Sequence, residues 1–256
     1  MIDSRASVDS SARLSADVSV GPFSVIGPDV EIGSGTWIGP HVVIQGPTRI
    51  GRNNRIFQFA SLGGIPQDKK YTGEATWLEI GDHNTIFEFV TINRGTSQDK
   101  GRTVIGNGNW IMAYVHIAHD CSLADNVILA NNTTLAGHVS IEEWAVLGGF
   151  TKVHQFCRIG AHSFTGMNVD ITRDVPPYVM AAGSPAEPRG INSEGLQRRD
   201  FTAEQIRNIK NAYRLVYRSE LRLDEALVKL EAISSTQPEV VRMVNFIKSS
   251  QRGITR

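Results

Sequence analysis

Seven consecutive residues, HIAHDCS at 116–122, bring together two histidines, an aspartate and a cysteine. Such side chains serve three kinds of chemistry: binding of a metal ion, proton transfer by an acid/base pair, or thiol redox reactions. The same residues also occur on the outer face of ordinary strands, where they contact only water. The segment alone does not distinguish these possibilities, so the elements that position its side chains must be considered.

The chain repeats every six residues over most of its length. Aliphatic residues recur at this interval over 8–62, 80–92 and 105–171, and 24 of the 25 positions hold Ile, Leu or Val, with Thr165 as the exception. A second column of mostly small residues follows four positions after each aliphatic residue. A helix would repeat at about 3.6 residues and a strand at about 2. The period of six predicts a hexapeptide parallel β-helix with three short strands in each coil of 18 residues.

The first long break in this repeat is a predicted binding loop. It covers residues 63–79, and loops that interrupt a rigid scaffold commonly carry binding residues. Its polar candidates are Gln67, Asp68 and Lys70.

The repeat gives way to a helical pattern at about residue 190. Thr202 and Gln205 have the spacing of a capping box, and further helices are predicted over 224–233 and from Pro238. We therefore expect a β-helix domain over 1–189, with the loop inserted at 63–79, and a helical domain over 190–256.

Composition excludes several classes of protein. With 26 basic and 26 acidic residues, the chain is not expected to bind nucleic acid or membrane surfaces generally. The N-terminus lacks the apolar region of a secretory signal, and no apolar run is long enough to span a bilayer. Two cysteines cannot form a disulfide framework, so a cytoplasmic location is expected.

The two cysteines and three of the histidines are expected to be structural. Cys121 and Cys157 are 36 residues apart, which is two coils or roughly 9–10 Å and too far for a disulfide. Both occupy the inward column of small residues, so we interpret them as core residues. His41, His83 and His162 occupy corner positions without a neighbouring cluster.

The remaining histidines gather along one edge of the predicted β-helix. His119 lies below Gly137 and Asp120 below His138, because coils of 18 residues stack about 4.8 Å apart. His154 lies one coil further on. Three histidines therefore share one edge over three coils, and we expect this edge to be functional.

Seven segments follow one another as in a known family. They read QDKKY, INRGT, HIAHDC, ANNTTLAGHV, VHQFCRIGAH, DVPPYV and INSEGLQRR. In these segments, and nearly end to end, the chain closely resembles the bacterial UDP-N-acetylglucosamine O-acyltransferases. The resemblance implies a left-handed parallel β-helix with a C-terminal helical domain, assembled as a cytoplasmic homotrimer with active sites between subunits.

The resemblance also implies a reaction and its substrates. Members transfer a (R)-3-hydroxyacyl group from acyl carrier protein to the 3-hydroxyl of UDP-N-acetylglucosamine, the first step of lipid A synthesis. No cofactor or metal is expected. The resemblance does not settle the acceptor fully, because some relatives use a 2,3-diamino sugar analogue.

Site residues carry over position by position from this resemblance. His119 matches the general base, Asp120 its orienting carboxylate and Gly137 the backbone N–H donor to the oxyanion, which suits attack by a weakly nucleophilic hydroxyl on a thioester. Asp68 matches the residue that binds the acyl 3-hydroxyl. The positions that match nucleotide-sugar contacts are His138, His154, Gln155, Asn192, Glu194 and Arg198. Other pocket positions are His116, Gln67 and Lys70.

Two residues depart from the family pattern. Asn93 stands where many members have histidine, which leaves the role of this position open. Met167 stands where long-chain members have glycine at the floor of the acyl groove. A methionine there shortens the groove, and we expect a donor of about ten carbons because each buried methylene is worth about 0.8 kcal/mol and an overlong chain must clash.

Other classes of protein fit the sequence less well. A carbonic anhydrase-like metalloenzyme needs three imidazoles that converge on one ion, whereas Asp120 offers His119 a different partner. The later N-acyltransferase of the same pathway carries a uridine-binding domain ahead of its repeats, and here the repeats start at Val8. A purely structural solenoid would not explain the histidine edge or the loop at 63–79.

Overall fold

Three parallel sheets form the walls of a β-helix in the computed structural model, which describes all 256 residues. The strands are numbered in chain order. Sheet 1 has nine strands, in the order Ser7–Val8 (β1), Val25–Ile26 (β4), Val43–Ile44 (β7), Ser61–Gly64 (β10), Thr91–Asn93 (β13), His116–Ile117 (β16), Thr134–Leu135 (β19), Lys152–Val153 (β22) and Asp170–Ile171 (β25). Sheet 2 has eight strands, in the order Arg13–Leu14 (β2), Val30–Ile32 (β5), Thr48–Ile50 (β8), Trp77–Ile80 (β11), Arg102–Ile105 (β14), Ser122–Leu123 (β17), Ser140–Ile141 (β20) and Arg158–Ile159 (β23). Sheet 3 runs in order from its C-terminal edge through Glu187–Ile191 (β27), Val179–Ala182 (β26), Phe164–Thr165 (β24), Val146–Leu147 (β21), Ile128–Leu129 (β18), Trp110–Ile111 (β15), Thr85–Ile86 (β12), Arg55–Ile56 (β9), Trp37–Ile38 (β6) and Ser19–Val20 (β3).

The six-residue period produces this architecture as predicted. Ile117 pairs with Leu135, and Leu135 with Val153, so a residue meets its counterpart 18 positions later. Nearly all of the aliphatic column is buried. Thr165, its exception, is also buried, and its hydroxyl hydrogen-bonds Thr151 at 2.9 Å. Burial of one such aliphatic side chain contributes about 1.5–3 kcal/mol. The column supplies 22 of the 51 residues of the hydrophobic core.

Three asparagines replace small residues in the second column and form a buried ladder. The side-chain oxygen of Asn54 accepts the backbone N–H of Asn84 at 2.8 Å and its side-chain N–H at 3.0 Å. The side-chain oxygen of Asn84 in turn accepts the backbone N–H of Asn109 at 2.8 Å. The ladder supplies partners for the buried backbone N–H groups of Asn84 and Asn109.

Two cysteines pack inside the β-helix as expected. Both are free and buried. Burial raises the pKa of Cys121 to about 12 and that of Cys157 to about 11. Neither thiol is therefore ionised at neutral pH, which removes them from redox or metal chemistry.

The C-terminal segment forms an antiparallel hairpin and four helices. The hairpin of β26 and β27 extends sheet 3 and carries the chain across residue 190, where the sequence analysis places the change to a helical domain. The helices are Ser193–Gln197 (α1), Ala203–Tyr217 (α2), Leu223–Ser234 (α3) and Pro238–Lys248 (α4). None is long and apolar enough to cross a membrane.

The predicted helix starts are confirmed. The Thr202 hydroxyl accepts the Gln205 N–H at 3.2 Å, and the Gln205 side chain accepts the Thr202 N–H at 2.9 Å. Pro238 occupies the first turn of α4. α1 was not predicted, because five residues are too few for a visible helical period.

Two loops leave the coils and lie against each other. The first runs between β10 and β11, and the second between β13 and β14. The guanidinium of Arg94 donates to the Tyr71 hydroxyl at 3.2 Å, and the Ser97 hydroxyl donates to the Glu74 carboxylate at 3.1 Å. Asn93 donates to the carbonyl of Ile65 at 2.8 Å, so it ties the second loop to the first.

Candidate active site

The histidine edge lies at the corner between sheet 1 and sheet 2, and we call the part of this corner in the coils of His119, His138 and His154 the site corner. β16 ends at Ile117, and the chain turns through His119 and Asp120 before β17. Asp120 has a φ of 59°, and His138, one coil on, has a φ of 64°, so both corners use left-handed backbone. This repeated turn places the imidazole of His119 edge-on to that of His138, with ring centroids 5.0 Å apart.

Asp120 holds the ring of His119 in one orientation. Its carboxylate lies 2.9 Å from Nδ1 of His119 and is fully buried. Thr96 donates to it from its backbone N–H, at 3.0 and 3.1 Å from the two oxygens, and from its hydroxyl at 2.7 Å. A buried carboxylate with several donors is held as an acceptor, so Nδ1 of His119 carries the proton. Nε2 is left free to accept another proton.

Glycine at 137 leaves room for the ring of His119, which lies against its α-carbon. A Cβ atom there would lie 2.6 Å from Cε1 and 2.8 Å from Nε2 of His119. The backbone N–H of Gly137 donates to no acceptor in the chain. The corner therefore places an unused N–H donor beside the free nitrogen of an oriented imidazole.

Two further histidines surround this pair. Nδ1 of His138 lies 2.7 Å from the carboxylate of Asp99, and its ring stacks on Phe156 with centroids 4.4 Å apart. Nδ1 of His116 lies 2.7 Å from the hydroxyl of Thr91. Burial, and then the nearby His119, lower the pKa of His116, which favours its neutral form.

An open cleft of about 460 Å³ joins both loops to the site corner. Asp68 and Lys70 of the first loop line it together with His138, so this loop lies beside the histidine edge. Gln67 is exposed and does not line it. The carboxylate of Asp68 accepts the backbone N–H of Lys70 at 2.9 Å.

Other predicted site residues lie apart from His119 within one chain. His154 and Gln155 are exposed one coil beyond His138, and Nδ1 of His154 lies 3.1 Å from the carbonyl of Gln155. Asn192 caps α1 and donates to the carbonyl of His162 at 2.9 Å, at the corner between sheets 2 and 3.

The last three predicted positions are all exposed. Glu194 and Arg198 pair with each other on α1. Met167 is 74% exposed at the corner between sheets 3 and 1.

Thr96 and Asp99 are functional candidates that the sequence analysis missed. Both lie in the second, shorter break of the repeat, just before β14. A loop in contact with a predicted site is a reason to inspect its polar residues. The second break in the six-residue repeat was therefore the sequence feature that could have pointed to Thr96 and Asp99.

The site corner also holds the one group of three potential metal-ligating side chains in the chain. Ligand atoms of His119, Asp120 and His138 lie within 4.8 Å of one another. Nδ1 of His119 already hydrogen-bonds the carboxylate of Asp120, so Nε2 is the ring nitrogen that His119 has free for a metal ion.

The chain matches two family models. Residues 174–255 match the second domain of UDP N-acetylglucosamine O-acyltransferase. Residues 11–46, 29–64 and 102–137 match the bacterial transferase hexapeptide model of six repeats.

Full-length relatives share both sequence and fold. An acyl-(acyl-carrier-protein)–UDP-N-acetylglucosamine O-acyltransferase of Herminiimonas arsenicoxydans is 60% identical over 260 residues, which covers 100% of this chain and 99% of the relative. The crystal structure of a UDP-N-acetylglucosamine O-acyltransferase from Moraxella catarrhalis superimposes with a TM-score of 0.97 at 45% identity, over 100% of this chain and 99% of the other. The structure of LpxA from Acinetobacter baumannii superimposes with a TM-score of 0.97 at 46% identity, again over 100% of this chain and 99% of the other.

Proposed function

The chain belongs to the acyl-(acyl-carrier-protein)–UDP-N-acetylglucosamine O-acyltransferase family, and we propose that His119 is the general base of this acyl transfer. The proposed donor is a (R)-3-hydroxyacyl group on acyl carrier protein, and the proposed acceptor oxygen is the 3-hydroxyl of UDP-N-acetylglucosamine. The product enters lipid A synthesis as its first intermediate. The observation that carries the proposal is the buried Asp120 carboxylate, which leaves only Nε2 of His119 to take a proton.

Proton transfer to His119 accompanies formation of the new bond between the sugar oxygen and the thioester carbon. Nε2 removes the proton from the sugar hydroxyl as its oxygen attacks the thioester carbonyl, which overcomes the weak nucleophilicity of an alcohol. The imidazolium that forms is stabilised by Asp120, whose negative charge lies 2.9 Å from Nδ1.

The negative charge that develops on the thioester oxygen needs a donor. The unused N–H of Gly137 is next to the ring of His119 and is the proposed donor. When the tetrahedral intermediate collapses, the carbon–sulfur bond breaks and His119 returns its proton to the departing thiolate. The ester and the free thiol of the carrier protein are the products.

The remaining predicted residues are proposed to bind the substrates. Asp68 binds the acyl 3-hydroxyl, and the first loop brings it to the cleft beside His138. The other proposed contacts are Gln67, Lys70, His116, His154, Gln155, Asn192, Glu194 and Arg198.

A homotrimer is proposed, because one chain does not bring all of these residues together. Asn192 lies at a different corner from His119, so a neighbouring subunit is needed to supply this part of the pocket. The proposed location of the assembled enzyme is the cytoplasm.

Met167 is proposed to limit the length of the acyl chain. Its side chain stands 74% exposed at a corner, where it is free to form the floor of a groove between subunits. We expect a preference for donors of about ten carbons, and Met167→Gly should lengthen the preferred chain. Equal rates with ten- and fourteen-carbon donors in the unmodified enzyme would contradict this.

The test of the general base compares His119→Ala with the unmodified chain in a mass-spectrometric acyl-transfer assay. We expect at least a hundredfold loss of kcat with the oligomer and melting temperature unchanged. His83→Ala is the matched control, because His83 is an exposed corner histidine away from the site corner. Activity of His119→Ala close to that of the control would exclude His119 as the base.

The same assay tests the acceptor and the acyl donor. It uses UDP-N-acetylglucosamine, its 2,3-diamino analogue and a ladder of acyl carrier protein thioesters. Transfer to the amino sugar alone would replace the ester product by an amide and correct the proposed acceptor.

A further inference from the structure

One turn of the second loop contacts Asp120, the partner of His119, and also contacts His138 directly. Thr96 is buried and donates its N–H and its hydroxyl to Asp120, which orients His119. The N–H of Gly101 donates to the carbonyl of Thr96 at 3.0 Å and closes the turn. Asp99 lies inside this turn, with its carboxylate 2.7 Å from Nδ1 of His138. The loop is therefore anchored at one histidine and reaches the other.

The contact with Asp99 determines which nitrogen of His138 carries a proton. An ionised carboxylate only accepts hydrogen bonds, so Nδ1 of His138 must be the donor. Nε2 of His138 has no hydrogen-bond partner in the chain. In the neutral ring, Nε2 is thus an acceptor without competition from the protein, on a side chain that lines the cleft.

The other contacts of His138 fix the position of its ring but do not determine which nitrogen is protonated. Phe156 stacks on one face of His138, and the ring of His119 meets it edge-on at 89°. Neither contact distinguishes the two tautomers. Lys70 and Lys100 line the same cleft, yet neither forms an ion pair with Asp99.

We infer that Asp99 is a positioning residue that holds His138 in the tautomer with a free Nε2, so that this nitrogen accepts a hydrogen bond from a hydroxyl group of the acceptor sugar. The inference rests on the proposed function, since it places the sugar beside His119. Without Asp99, an imidazole in water favours a proton on Nε2, which would offer the sugar a donor where an acceptor is needed.

The kinetic test replaces Asp99 and measures the KM of each substrate separately. In Asp99→Ala we expect the KM for UDP-N-acetylglucosamine to rise about tenfold, because a charge-assisted hydrogen bond that orients the ring is lost. The KM for the acyl donor should change less than about twofold. Asp99→Glu keeps the carboxylate and should recover part of the loss. Asp17→Ala is the control, since Asp17 also accepts hydrogen bonds at an exposed corner, from Ser34 and Gly35.

A spectroscopic test reads the tautomer directly. In protein labelled with ¹⁵N at histidine, long-range ¹H–¹⁵N correlation spectra at about pH 8, where free imidazole is neutral, distinguish a protonated Nδ1 from a protonated Nε2. His138→Gln assigns the signal. We expect a protonated Nδ1 in the unmodified chain and in Asp99→Glu, and a protonated Nε2 in Asp99→Ala.

The outcomes separate this inference from the proposed function. An unchanged tautomer in Asp99→Ala, or an equal rise of both KM values, would overturn the role of Asp99 even if His119→Ala is inactive. Conversely, an active His119→Ala together with the expected tautomer change would overturn the general base and leave the positioning of His138 standing.

Discussion

Replacing Gly137 with alanine should disable the proposed base without unfolding its coil. The added Cβ would lie 2.6 Å from Cε1 of His119, whereas ordinary contacts start at 3.4 Å. The imidazole must therefore retreat by about 0.8 Å, and it takes Nε2 away from the acceptor hydroxyl. A displacement of about 1 Å at the reacting groups costs roughly a hundredfold in rate.

The expected result is a fall in kcat of about a hundredfold with a change in melting temperature of only a few degrees. The ring of His119 is partly exposed and moves aside, and the N–H donor at residue 137 is retained, so the loss reports the base rather than the oxyanion donor. The mass-spectrometric assay measures kcat, and a crystal structure of the variant shows the ring.

A matched glycine distinguishes this effect from general damage to the coils. A Cβ at Gly27 would lie 3.3 Å from the nearest atom, the carbonyl oxygen of Ile44, far from the site corner. Gly27→Ala should keep full activity. The reasoning is refuted if Gly137→Ala retains kcat within about threefold of the unmodified enzyme while the ring is shifted.

Two other changes test the support of Asp120 and the burial of His162. Thr96→Val keeps the shape of the side chain but removes the hydroxyl that binds Asp120. In the same assay, kcat should fall about tenfold while the binding of both substrates is unchanged. An unaltered kcat would show that the backbone N–H of Thr96 is enough to hold Asp120. Burial, and then Arg199 and Arg242, lower the pKa of His162 to about 4 from 6.5. The unfolded chain then binds this proton from pH 6.5 downward and the folded chain only near 4, so His162 costs up to about 3 kcal/mol of stability as the pH falls across that window. Urea unfolding of His162→Phe across the same pH range should show a free energy of unfolding that depends less steeply on pH. Equal pH dependence in the variant and the unmodified protein would refute the lowered pKa of His162.

The β-helix could be predicted because one repeat determines both the path of the chain and the burial of each position. Ile117 and Leu135 occupy equivalent places in successive coils, and their burial follows from the period alone. The same arithmetic placed His119 beneath Gly137, which the structure confirms through the contact of the ring with this glycine.

The parts that escaped prediction depend on contacts between segments with no period. The sequence places Asp120 at a corner, but its complete burial results from Thr96, which arrives from a loop 24 residues earlier. The contact of Asp99 with His138 spans 39 residues and likewise depends on the fold of that loop. Neither contact has a pattern in the sequence, because a loop conformation is selected by its tertiary partners.

The ends of the β-helix differ in their resistance to fraying. Each coil contacts only the coils before and after it, so opening proceeds inward from a terminus. The C-terminal end is covered, since β27 and α2 close it and the final residues return to pair at Asp174. The N-terminal end has no such cover, and Val8 and Leu14 are only partly buried there. Amide hydrogen exchange should therefore be fastest in the first coil and slowest around the site corner. The site corner keeps its geometry while the N-terminal coil opens and closes.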